Sequence, residues 1–110
     1  MNHLNSILLE GAITGDISKD ENGIVTWFLL ATQNKGEITF MKVKALDRLA
    51  EAVSEKGGNG ALVRVVGSVR SRQVMVRDTV TTDVYVKAEH IEFRPKKEQE
   101  VVENDDREVL

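Results

Sequence analysis

At 110 residues and 12.3 kDa the chain has the length of one domain, burying about 60 to 70% of its extended surface on folding, and is too short for a two-domain enzyme. With 41% hydrophobic and 30% charged residues, one proline and eight glycines, it is neither disordered nor collagen-like nor linker-rich, and it carries no internal repeat. Zero cysteines exclude a disulfide framework, a thiolate metal site and a cysteine nucleophile, and the formal net charge is -3 at pH 7.

In chain order, the first predicted strand is Ile7 to Thr14, ending at Gly15-Asp16, with Gly11 inside it marking a bulge or bend. The run Ile7-Leu8-Leu9 is cut by Glu10 and follows no basic segment, so it is neither a signal-peptide core nor a membrane span. A soluble, cytoplasmic protein is expected. After the polar turn Lys19-Asp20-Glu21-Asn22-Gly23, Ile24 to Thr32 forms the second strand. The tight link Gln33-Asn34-Lys35-Gly36 leads into a third, Glu37 to Leu46, so these two strands form an antiparallel hairpin.

A single helix is predicted from Asp47 to about Lys56, with Asp47 as N-cap, Leu49, Ala50 and Val53 at helical spacing, and Gly57-Gly58 as the stop. Ala61 to Arg70 is the fourth strand, continuing through Gln73 to Arg77 as an extended hairpin arm, and Thr82 to Phe93 is the fifth. Residues 1–95 thus make one domain, and 96–110 a short, flexible, acidic tail. The order β-β-β-α-β-β matches the all-β, five-stranded OB-fold barrel, a fold whose strand 2 and 3 face commonly binds oligonucleotides or oligosaccharides, with an SH3-like barrel and a small sandwich as the alternative folds.

Charge is unevenly spread along the chain. From Glu98 to Leu110 there are six acids and one arginine, whereas the segment from Lys56 to Arg77 holds Arg64, Arg70, Arg72 and no acid. Strand alternation places Phe40, Lys42 and Lys44 on one face of the third strand, a ring beside two phosphate-seeking charges. The same alternation sets Arg64, Arg70 and Arg72 on the outer face of the fourth strand and gives Ala61, Val63, Val65, Gly67 and Val69 to the core. The plain alternatives are a solvated face and an edge strand charged against aggregation. In the second strand Trp27 and Phe28 point opposite ways, so one of them lies outside the core. The candidate nucleic-acid-binding residues are Trp27, Phe40, Lys42, Lys44, Arg64, Arg70, Arg72 and Arg77.

Catalysis finds no counterpart in these residues. His3 and His90 stand apart without zinc-ligand spacing, and Gly57-Gly58-Asn59-Gly60 lacks the Gly-Lys-Ser/Thr ending of a phosphate loop. No enzyme activity, cofactor or metal is expected.

Several stretches, in order, resemble the bacterial single-stranded DNA-binding protein family over about residues 3–93. They are Asn5 to Gly11 (NSILLEG), Gly23 to Thr32 (GIVTWFLLAT), Leu49 to Val53 (LAEAV), Val66 to Arg72 (VGSVRSR) and Thr81 to Val86 (TTDVYV). The resemblance implies an OB fold that assembles as a homo-oligomer, a tetramer or dimer, and wraps single-stranded DNA in replication, recombination or repair. It also implies recruitment of replication and repair proteins through an acidic C-terminal tip. Carried over by position, Phe40 matches a stacking aromatic, Lys42 a basic position, and Arg70 with Arg72 the basic pair of the fourth strand. Leu46 and Val74 replace common aromatics, the link from Gln33 to Gly36 is short, and the tail ends Glu108-Val109-Leu110 rather than in the family's tip. Trp27 or Tyr85 would then have to supply the missing stacking. A derived OB-fold accessory of the primosome type, relying mainly on protein contacts, and an adaptor that has lost its nucleic acid are the competing readings.

Overall fold

Every second residue from Ile7 onward is a candidate for burial, and in the computed structural model, which describes residues 2–94, this alternation is realised as five strands and one helix. The elements are β1 (Ile7–Lys19), β2 (Val25–Asn34), β3 (Glu37–Leu46), α1 (Asp47–Lys56), β4 (Leu62–Val76) and β5 (Thr79–Phe93). They close into a barrel in the order β1-β2-β3-β5-β4, with β4 returning to β1. Neighbours are antiparallel except β3 and β5, which run parallel at Val43 with Val86 and Lys44 with Lys87. This is the five-stranded OB-fold barrel with its short helix between the third and fourth strands.

The core is built from the inward residues of all five strands, among them Ile13, Phe28, Leu30, Val43, Val65, Val86 and Ile91. One end of this barrel is covered by α1, which sinks Ala50 and Val53 to complete burial. The helix is too short to fold alone and owes its stability to that packing. No helix among the described residues is long and apolar enough to cross a membrane.

Four sequence expectations are corrected. First, β1 does not stop at Thr14; it continues to Lys19 by absorbing an irregularity, in which Thr14 pairs Leu29 but Ser18 pairs Trp27. Gly15, at φ +82°, supplies the left-handed residue that this bulge requires. Second, of the bulge or bend expected at Gly11, the bulge is absent: the register shift of β1 falls between Thr14 and Ser18. A Cβ there would lie 2.1 Å from the Ala31 carbonyl oxygen, so the glycine permits close approach of two backbones. Third, Asp47 is not the cap of α1: Leu46 holds the cap position, with no side-chain hydrogen bond, and Asp47 adopts φ +54°. The Asp47 N–H donates instead to the Ile24 carbonyl in the β1–β2 link at 3.0 Å. Fourth, Val69 is 38% exposed rather than core. Its side of the sheet is the correct one, opposite Val86, but β1 pairs with β4 only as far as Gly67 and leaves Val69 uncovered. The Asn5 side chain brackets the Val69 backbone instead, donating to its carbonyl at 2.8 Å and accepting from its N–H at 3.0 Å.

Beyond Gly67 the β4–β5 hairpin leaves the barrel as an arm that pairs to Val76 with Thr79. It turns through Arg77 and Asp78, both at positive φ (51° and 65°), the geometry of a two-residue hairpin turn. The β2–β3 connection is equally tight, using Lys35 and Gly36. The expected tail, residues 96–110, lies outside the described residues.

Candidate nucleic-acid interface

Because Thr26, Phe28 and Leu30 turn inward, the odd-numbered residues of β2 face outward; because Val43 and Ala45 turn inward, so do the even-numbered residues of β3. Phe28 is therefore the core ring and Trp27 the outer one. Register lays the two outward rows side by side: Ala31 by Phe40, Leu29 by Lys42, Trp27 by Lys44 and Val25 by Leu46. Phe40 heads its row at 54% exposure.

The root of the arm completes this surface. Hairpin pairing sets Arg70 opposite Tyr85 and Arg72 opposite Asp83. Asp83 then becomes the meeting point of three cations: Oδ1 lies 3.0 Å from Lys42 Nζ, while Oδ2 lies 3.7 Å from Lys44 Nζ and 3.5 Å from Arg72 Nε. The Lys44 ammonium also sits 4.2 Å from the centroid of the Tyr85 ring, a cation–π contact. Arg70 is oriented by donating from Nε to Ser68 Oγ at 3.0 Å.

These contacts shift two titrations. The hydrogen bond from Lys42, helped by the charges of Lys42 and Lys44, holds the Asp83 carboxyl below the usual aspartate range. Burial in the seam pushes Lys44 down, as does the neighbouring Arg72, against the pull of Asp83. The side chains line two hollows that share Val25 and Lys44. One, of about 380 Å³, is bounded by Asp20, Trp27, Lys42 and Arg72; the other, of about 270 Å³, by Leu46, Arg70, Tyr85 and Lys87. Together they form a groove that runs across β2, β3 and β5, with one aromatic ring and several cations in each half.

Of the candidate residues, the structure brings Trp27, Lys42, Lys44, Arg70 and Arg72 together, with Phe40 farther along the same β3 row. Arg64 stands elsewhere. It lies six residues before Arg70 on β4, roughly 20 Å along the strand. There its Nη2 is 2.6 Å from Glu10 Oε2 and its Nη1 is 3.6 Å from Glu92 Oε1, while Arg94 shares Glu10 at 3.1 Å. The Arg64 hydrogen bond and charge hold Glu10 below the usual glutamate range. This cluster borders a hollow of about 450 Å³ between β1 and the end of β2. Its arginine is already paired with two acids, which makes it a poor seat for a phosphate. Arg77 sits in the turn at the arm's far tip.

Sequence reasoning misses Asp83 and reaches Tyr85 only as a substitute ring. The signal lies in the turn: once a two-residue turn is centred on Arg77-Asp78, antiparallel register puts Asp83 opposite Arg72 and Tyr85 opposite Arg70. Among the described residues, no group of three or more His, Cys, Asp or Glu side chains gathers in a metal-binding arrangement. No curated protein matches the chain. Residues 4–94, spanning the barrel and its arm, match the model of the single-strand binding protein family.

Proposed function

The chain belongs to the single-strand binding protein family, and we propose that it binds single-stranded DNA without regard to sequence and without catalysis, in the groove between β2–β3 and the root of the arm. The observation that carries this reading is the convergence of Trp27, Lys42, Lys44, Arg70, Arg72 and Tyr85 on one surface from four strands. Lysine and arginine take the phosphates, and arginine adds a planar fork able to pair with two phosphate oxygens. Trp27, Tyr85 and the exposed Phe40 offer ring faces, each stacked base contributing about 1 to 3 kcal/mol. Rings and charges of this kind read no base edge, so affinity without sequence preference follows.

Arg77 meets a strand that continues out along the arm, whereas Arg64 stays outside the path. In this reading the protein protects single strands during replication, recombination or repair, at the nucleoid in the cytoplasm. It acts as a homo-oligomer, dimer or tetramer, and replication or repair proteins are its further partners. Exposed Met75, Val80 and Val84 on one face of the arm support association between copies.

The test uses the protein's single tryptophan. Because Trp27 lines the groove, titration with oligo(dT) should quench its fluorescence saturably, and a duplex of equal length should do so far more weakly. Affinity should fall with salt at a log-log slope of about -0.7 per neutralised phosphate. Absence of quenching and of any binding at low salt would overturn the reading.

A further inference from the structure

Resting on this reading of the groove, we propose that Asp83 is a built-in anion that occupies the phosphate seat between Lys42, Lys44 and Arg72 and sets the strength of polyanion binding by having to be displaced. Both of its carboxylate oxygens are engaged, Oδ1 by Lys42 at 3.0 Å and Oδ2 by Lys44 at 3.7 Å and Arg72 at 3.5 Å. Two oxygens bridging cations from two different strands is the pattern that the two non-bridging oxygens of a phosphodiester would make. Among the described residues, Asp83 is the one acid within ion-pair distance of these three cations. Asp20, which lines the same hollow, hydrogen-bonds through its carboxylate to the Val25 N–H instead.

Exposure points the same way. The Asp83 side chain retains 19% of its surface, less than Lys42 at 34% and Arg72 at 58% but more than Lys44 at 15%, so an arriving phosphate meets Lys42 and Arg72 before the carboxylate and reaches Lys44 last. Two of the three contacts, at 3.5 and 3.7 Å, are far longer than a good charge-assisted hydrogen bond of about 2.7 to 2.9 Å, which makes them ready to exchange. The internal pairing leaves the three cations with part of their charge already neutralised, and a phosphate that binds there gains less than it would from three free cations. Arg70 and Lys87 in the adjoining hollow are outside this control: among the described residues neither has an ion-pair partner.

The experiment titrates oligo(dT), and in parallel inorganic tripolyphosphate, into the full chain, Asp83→Asn and Asp83→Glu across a range of salt. Asp83→Asn is expected to bind both probes about three- to tenfold more tightly at low salt, with an oligo(dT) salt slope steeper by about 0.7 for each phosphate newly neutralised. Asp83→Glu, which keeps the charge, is expected to follow the parent. Equal or weaker binding of both probes by Asp83→Asn, with no steeper slope and an unchanged thermal melt, would make Asp83 a support that holds the cations and would overturn the proposal. If neither protein binds oligo(dT) yet Asp83→Asn still binds tripolyphosphate more tightly, the nucleic-acid reading falls and the competitor role of Asp83 stands. Asp83→Ala serves in the same titrations if Asp83→Asn does not fold.

Discussion

Arg64 and Arg70 sit on the same face of the same strand in the alternation pattern, yet the fold gives them different surroundings, and their substitution by alanine separates groove from scaffold. Arg70 lines the hollow shared with Tyr85 and Lys44, and its guanidinium is steered by Ser68 Oγ at 3.0 Å. Removing it deletes one exposed, charge-assisted phosphate contact, worth about 1 kcal/mol or roughly fivefold in affinity at low salt. The log-log salt slope should become shallower by about 0.7. Arg64 is held by Glu10 at 2.6 Å and Glu92 at 3.6 Å, roughly 20 Å along β4 from Arg70. Arg64→Ala should leave both affinity and slope unchanged and show itself only as a small loss of thermal stability. The assay is oligo(dT) binding followed by Trp27 fluorescence at about 50 to 200 mM salt, the range over which phosphate contacts are read out. An equal fall in both variants, or a shallower slope for Arg64→Ala alone, would refute the placement of the groove.

Two further substitutions read out stability rather than binding. Thr26 is fully buried and its hydroxyl finds no hydrogen-bond partner among the described residues, so Thr26→Val, which keeps the shape, should stabilise the fold by about 1 to 2 kcal/mol. Each kcal/mol should raise Tm by roughly 4 to 8 °C in a domain of this size; a urea midpoint that does not rise, at unchanged slope, would show that the hydroxyl is satisfied. Glu10 is held below its ordinary value of 4.5 by Arg64, so its contribution is present at neutral pH and lost as pH falls through the depressed value. The stability gap between the parent and Glu10→Gln should therefore be visible at pH 7 and close as pH falls below the usual glutamate range; a gap that persists in acid would contradict the ion-pair account.

Much of the barrel is legible in the sequence because burial on one face imposes a period of two that cannot slip without exposing the core. Glu37 to Leu46 appears as β3 with the expected ends, and Phe40, Lys42 and Lys44 share the expected outer face. The arm is legible too, since Arg72-Gln73-Val74-Met75-Val76 continues the strand with no Gly or Pro to break it. The misses are those where a neighbour distant in sequence decides. Asp47 has the side chain of a cap, but the Ile24 carbonyl takes its N–H and Leu46 holds the cap position. Val69 has the correct phase, but β1 has ended beside it.

The sequence by itself determined which side chains share a face of each strand, because that depends only on strand period, while leaving open which of Trp27 and Phe28 fills the core. Tertiary structure alone decided which outward side chains meet. Closure of the barrel brings β3 beside β5, and the Arg77-Asp78 turn sets the register of the arm, so that Lys42, Lys44 and Arg72 converge on Asp83. Arg64, with the same outward phase, is carried to Glu10 and Glu92 instead. The physical reason is that alternation specifies a direction perpendicular to the sheet, whereas Coulomb and stacking contacts depend on distances across strands, which only register, bulges and closure fix.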